Sequence, residues 1–191
     1  TVTGTSAFTT LTNDQAITLS DTGNELTGAV TFTTGGTAGN VTVDNGTTAL
    51  DLAASTISGT LKATGGATAG IVDSGNVAVA GDVTLTTDAN NGVINLNTLQ
   101  QSAGDLVLTT NGTGDATVVN NAAIDFGTSS IGGNLSATAS AGAITQDGGA
   151  LTVTGTSAFT TSTNDQAIIL SKTTNALTGA VAFTTAGTAG N

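Results

Sequence analysis

Gly81-Asp82-Val83-Thr84-Leu85-Thr86, followed by Gly104-Asp105-Leu106-Val107-Leu108-Thr109, decides how this chain folds. Behind each glycine, apolar residues alternate with their neighbours at period two, the pattern of a strand with one buried face. The same phrase opens at Gly4, Gly28, Gly59, Gly81, Gly104 and Gly133, and again at Gly155 and Gly179. Successive phrases are roughly 22–24 residues apart, except for Gly28 to Gly59 and Gly104 to Gly133 at about 29–31 residues, and such periods belong to solenoids. Outward from the phrase, a longer repeat is plain: Thr1–Asn40 returns as Thr152–Asn191 with seven differences, among them Leu11 to Ser162, Asp21 to Lys172 and Glu25 to Ala176. Residues 1–151 form one long repeat of six turns, each of roughly 22–31 residues, and 152–191 start the next copy, with no separate second domain. Because that copy stops part-way, an array continuing past Asn191 is expected.

Each turn reads as about three short strands. The glycine phrase supplies one; a second follows, such as Val41-Thr42-Val43 or Val93-Ile94-Asn95-Leu96; a third leads into the next glycine, such as Leu50-Asp51-Leu52 or Val77-Ala78-Val79. Turn formers such as Asn45-Gly46, Gly65-Gly66 and Gly148-Gly149 separate them. Helix is disfavoured, since threonine and glycine are poor helix formers and no segment keeps an i, i+3, i+4 apolar pattern. An all-β fold is expected: a right-handed parallel β-helix, or β-solenoid, whose turns stack about 4.8 Å apart and raise one long repeat by roughly 29 Å.

The alignment assigns the core. Two residues past the glycine stand Ser6, Val30, Leu61, Val83, Leu106 and Leu135; four residues past stand Phe8, Phe32, Ala63, Leu85, Leu108 and Ala137. These are expected to point inward as continuous ladders, with Phe8 on Phe32 and Phe159 on Phe183. Five residues past, Thr9, Thr33, Thr64, Thr86, Thr109 and Thr138 are expected to form one outward threonine column, continued by Thr160 and Thr184.

Composition narrows the function. The 191 residues carry thirteen carboxylates against Lys62 and Lys172, a net charge of −11, and 38% are hydrophobic. That hydrophobic content and sparse charge argue against disorder, and the acidic balance argues against nucleic acid or an anionic membrane as partner. The chain has no cysteine, so packing and hydrogen bonds alone must hold the fold. Neither a membrane-spanning apolar run nor a signal peptide is visible, and a leader outside this stretch is compatible with a chain that starts at Thr1.

The Gly-x-hydrophobic-x-hydrophobic-Thr phrases, with their Asn-, Thr- and Gly-rich turns and scarce aromatics, resemble the repetitive shafts of filamentous-haemagglutinin-like exoproteins of two-partner secretion, in the manner of a giant bacterial adhesin. The resemblance implies export to the bacterial surface or beyond and a structural role in a filament or adhesin. It also implies possession of further copies of the repeat at both ends, within one chain or between chains, and contact with host, cell or matrix surfaces.

Three other chemistries are weighed. Parallel β-helices also house carbohydrate-active enzymes, and Asp82 with Asp105 forms a carboxylate pair on consecutive turns. The chain has neither Arg nor His, so no catalytic residue is assigned and a non-enzyme is expected. Calcium is considered because turn-borne aspartates can bind it, but Gly112-Thr113-Gly114-Asp115 is only a fragment of the calcium-binding nonapeptide. No cofactor and no metal ligand are therefore assigned. Ice binding by the threonine column is the remaining alternative; the second threonine it needs is present in two of six turns, and Lys62 interrupts the plane.

Overall fold

The computed structural model describes residues 1–190. Among them there is no helix: the chain is an all-β solenoid in which every strand pairing is parallel. The strands are β1 (Ser6–Thr9) and β2 (Ile17–Leu19) in the first turn, then β3 (Val30–Thr33) and β4 (Val41–Asp44) in the second. The third turn holds β5 (Leu50–Leu52), β6 (Ser55–Ile57) and β7 (Leu61–Gly65), and the fourth β8 (Ile71–Asp73), β9 (Val77–Val79) and β10 (Val83–Thr87). The fifth holds β11 (Ile94–Gln101) and β12 (Leu106–Thr109), and the sixth β13 (Ala116–Asn120), β14 (Ile124–Asp125) and β15 (Ser129–Ile131). The seventh holds β16 (Leu135–Ala139), β17 (Ile144–Thr145) and β18 (Leu151–Val153), and the eighth β19 (Ser157–Asn164) and β20 (Ala176–Leu177), above which lies β21 (Val181–Ala186).

The strands build two flanks. The first flank is an eleven-stranded sheet containing β1, β3, β5, β6, β8, β9, β11, β13, β16, β19 and β21. The second is an eight-stranded sheet of β2, β4, β7, β10, β12, β15, β18 and β20, with the short β14–β17 pair joined to it through the Leu106–Phe126 bridge. In the third to fifth turns the first flank is folded into two segments and the second is one strand. In the sixth to eighth turns the roles are exchanged.

Four side chains manage these exchanges. Where one strand must feed two, a serine fills the gap in the ladder: Ser55 Oγ accepts the Phe32 N–H at 3.0 Å and donates to the Ala53 carbonyl at 2.8 Å. Ser129 Oγ does the same for Leu108 N–H (3.0 Å) and the Gly127 carbonyl (3.1 Å). Where two segments must rejoin, an asparagine amide stands in for a peptide group: Asn45 accepts from Leu26 N–H at 2.8 Å and donates to the Leu26 carbonyl at 3.0 Å. Asn120 accepts from Gln101 N–H at 2.8 Å and donates to its carbonyl at 3.0 Å. Buried backbone groups thus stay paired where strand continuity is lost.

The helix-free, parallel-stranded β-solenoid is the one expected, but the turn count is not. Following the pairings from Ser6 through Val30, Leu52, Asp73, then the strands β11, β13 and β16, to Ser157 takes seven steps rather than six. The sequence separation across one turn is 19 between Asp115 and Asn134 and 24 between Asp73 and Asn97. The glycine phrase heads the unfolded flank, so it crosses from the first flank to the second between Gly28 and Gly59 and back between Gly104 and Gly133. Each crossing takes a turn and a half, which is why those two steps are the long ones. At about 4.8 Å per turn the long repeat rises about 34 Å.

The core runs the length of the stack between the flanks. Val30, Phe32, Ala63, Val83, Leu85, Leu106 and Leu108 are fully buried, and Leu61, Leu135 and Ala137 nearly so. Burying a side chain such as Leu85 contributes about 1.5–3 kcal/mol. Phe8 stacks on Phe32 with ring centroids 5.8 Å apart and is half-buried. Phe159 stacks on Phe183 at 5.6 Å and also meets Phe126 edge-on at 6.1 Å, a contact between the opposite flanks.

Candidate functional site

The expected single threonine column is corrected by the flank exchange. Thr9 pairs with Thr33 on the first flank. Thr64, Thr86 and Thr109 stack in register on the second. Thr138, Thr160 and Thr184 return to the first. The inward ladders divide at the same places, because Val30 pairs with Leu52 rather than Leu61, and Leu135 with Ala116 rather than Leu106. The threonines therefore form short blocks on different flanks, and the one plane that ice contact would require is not formed. Lys62 is exposed between Thr42 and Thr84, within the second-flank block.

The carboxylate pair foreseen at Asp82 and Asp105 is real and extends further. The Asp105 N–H donates to Asp82 Oδ1 at 3.0 Å, and the Asp147 N–H donates to Asp125 Oδ1 at 3.1 Å. Asp105, Asp125 and Asp147 bring carboxylate oxygens within 4.8 Å of one another. Burial, followed by the charges of Asp147, Asp125 and Asp82, raises the Asp105 pKa above the ordinary carboxylate value. Gly127 and Gly148 make room for this side chain: a Cβ on either would lie 3.0–3.1 Å from Asp105 Oδ2. Asp125 and Asp147 escape the sequence alignment because neither follows a glycine anchor; only the true turn length places them above Asp105. Three carboxylates binding through one oxygen each supply part of the six to eight oxygens that calcium takes.

Asp115, the end of the calcium-like fragment, is committed elsewhere: its Oδ1 accepts the Asn134 N–H at 2.6 Å and Nδ2 at 3.1 Å. This belongs to a recurrent device in which a turn-borne Asp or Asn receives the backbone of the turn above. Asp14 accepts from Thr37 and Ala38 N–H at 2.7 and 2.8 Å, which lowers its pKa. Asp165 does likewise for Thr188 and Ala189, and Asn91 for Thr113. Among the described residues these three acceptors are the non-glycine residues with positive φ, at 61–62°. Above Asp14 and Asn91 lie Gly36 and Gly112, themselves at φ 88° and 64°, where any Cβ would collide with the acceptor below.

A shallow groove climbs the edge of the first flank along Thr56, Ala78, Gln100 and Asn121, with Ile57, Ser58, Val79, Ala80 and Ser102, and its lining carries no titratable side chain. No helix among the described residues is long and apolar enough to cross a membrane.

The sequence model of the family described as Repeats of unknown function (DUF5649) matches residues 1–33, 38–110 and 113–184. No match was found among curated proteins or among solved structures.

Proposed function

Because the chain belongs to the DUF5649 repeat family and stacks as a solenoid, we propose that it is a section of the structural shaft of an extracellular filament or large bacterial surface adhesin. The observation that carries this reading is the return of the stack to its starting state. Ser157, Phe159 and Thr160 meet Val181, Phe183 and Thr184 in the register by which Ser6, Phe8 and Thr9 meet Val30, Phe32 and Thr33. Between Ser6 and Ser157 the flank, the register and the aromatic stack are restored, so copies can follow one another without a corrective joint. Such a design builds length. The acidic surface, net charge −11, keeps neighbouring rods apart by repulsion.

Export and the filamentous-haemagglutinin-like identity rest on the likeness of the repeat phrases. The partners fitting this role are further copies along the axis and surfaces reached by the shaft's distal part. Gold-labelled antibody against the 191-residue chain, applied to intact producing cells, tests the reading. Label outside the envelope is expected; label appearing only after permeabilisation would overturn it.

A further inference from the structure

We infer that the unit of construction is half of the long repeat, three and a half turns, each half placed on the flank opposite the last. The four exchange residues carry the inference. Ser55 and Ser129 make the same two bonds on opposite flanks, and Asn45 and Asn120, separated by almost the same interval, do the same for the rejoining step. The special backbone positions follow that interval: Asn91 and Asp165 share φ values of 62° and 61°, and Gly112 and Gly187 both have positive φ. The strand phrases agree, Gly59-Thr60-Leu61-Lys62-Ala63-Thr64 matching Gly133-Asn134-Leu135-Ser136-Ala137-Thr138. The two long family matches, beginning at residues 38 and 113, independently mark one interval of that size.

Seven turns divide into two equal halves only if each half ends on the side opposite its start. The half-repeats are therefore related by a half-turn about the rod axis and a rise of about 17 Å, taking about 4.8 Å per turn. Each half carries one outward threonine block, Thr64, Thr86 and Thr109 on the second flank and Thr138, Thr160 and Thr184 on the first. A partner that reads this block finds it on both sides of the shaft in alternation. A partner that reads Lys62, whose counterpart is Ser136, finds it on one side only. Array length can also change by half a long repeat without breaking the stack.

Removing residues 59–132 tests the interchangeability of halves, because Gly133 then follows Ser58 as Gly59 does now. The shortened chain should unfold cooperatively, and cysteines at Thr42→Cys and Ser136→Cys should form a disulfide in it but not in the full-length chain, where Thr42 pairs with Lys62. In the full-length chain, Thr109→Cys should cross-link to Ser130→Cys and not to Thr138→Cys. A Thr109–Thr138 cross-link, or a shortened chain that unfolds without cooperativity or leaves the Thr42–Ser136 pair unlinked, would overturn the inference.

Discussion

At Asp105 burial and the negative charge of Asp147, Asp125 and Asp82 all favour the protonated carboxyl, so its pKa is higher folded than unfolded. Such a group destabilises the fold at pH values above its folded pKa, and the penalty is relieved as pH falls through that value towards the ordinary carboxylate pKa of about 3.9. Asp105→Asn should therefore raise the melting temperature at about pH 7, and the gain should vanish near about pH 4; paired thermal melts across that range measure it. Asp14 has the opposite sign: its pKa is lowered by the Thr37 and Ala38 amides, so its contribution is present above the unfolded pKa and lost as pH falls through the folded one. Asp14→Asn should accordingly change stability at neutral pH but not in strong acid. Asn45→Ala would leave the buried Leu26 N–H and carbonyl unpaired. A loss of about 2–4 kcal/mol is expected from the penalty for two such groups, read from urea midpoints.

Among the elements, the strands headed by glycine were legible because period-two alternation and a turn former are local signals. β7, β10, β12 and β16 begin two residues after Gly59, Gly81, Gly104 and Gly133. The assignment of each strand to a flank was not legible. It depends on whether the intervening chain makes one turn or one and a half, and the long step from Gly28 to Gly59 differs from the short step before it only through the extra segments β5 and β6. The same blindness hid Asp125 and Asp147, which join the aspartate ladder through the bridge of Leu106 to Phe126 rather than through any repeated phrase. Within the second flank, Leu85 lies in register between Ala63 and Leu108 and is fully buried. Leu85→Ala would set two alanines side by side, opening a cavity at a cost of about 2–5 kcal/mol, again measurable by urea unfolding.

Across the whole molecule, each turn touches chiefly the turns on either side, so stability is a sum of turns and the interfaces between them. The central turns have two such interfaces. Among the described residues the last has one, and the inward-facing Phe183 and Val181 there are 59% and 38% exposed. Hydrogen exchange should therefore be slowest at residues such as Leu96 and Leu106 and fastest at both ends, and adding a further copy of residues 1–151 should extend the slow-exchanging stretch. Equal protection throughout would mean that the stack behaves as a single cooperative block. The parallel pairing has a mechanical consequence. Its hydrogen bonds run along the rod and its strands lie across it, so a pull on the two ends opens the ladder from a loose terminus inward, one rung after another, instead of shearing many bonds together. One turn holds about 65–80 Å of extended chain against a rise of about 4.8 Å. Under load the rod would lengthen more than tenfold per turn surrendered, acting as a brake that lets out line and rewinds when the tension is released.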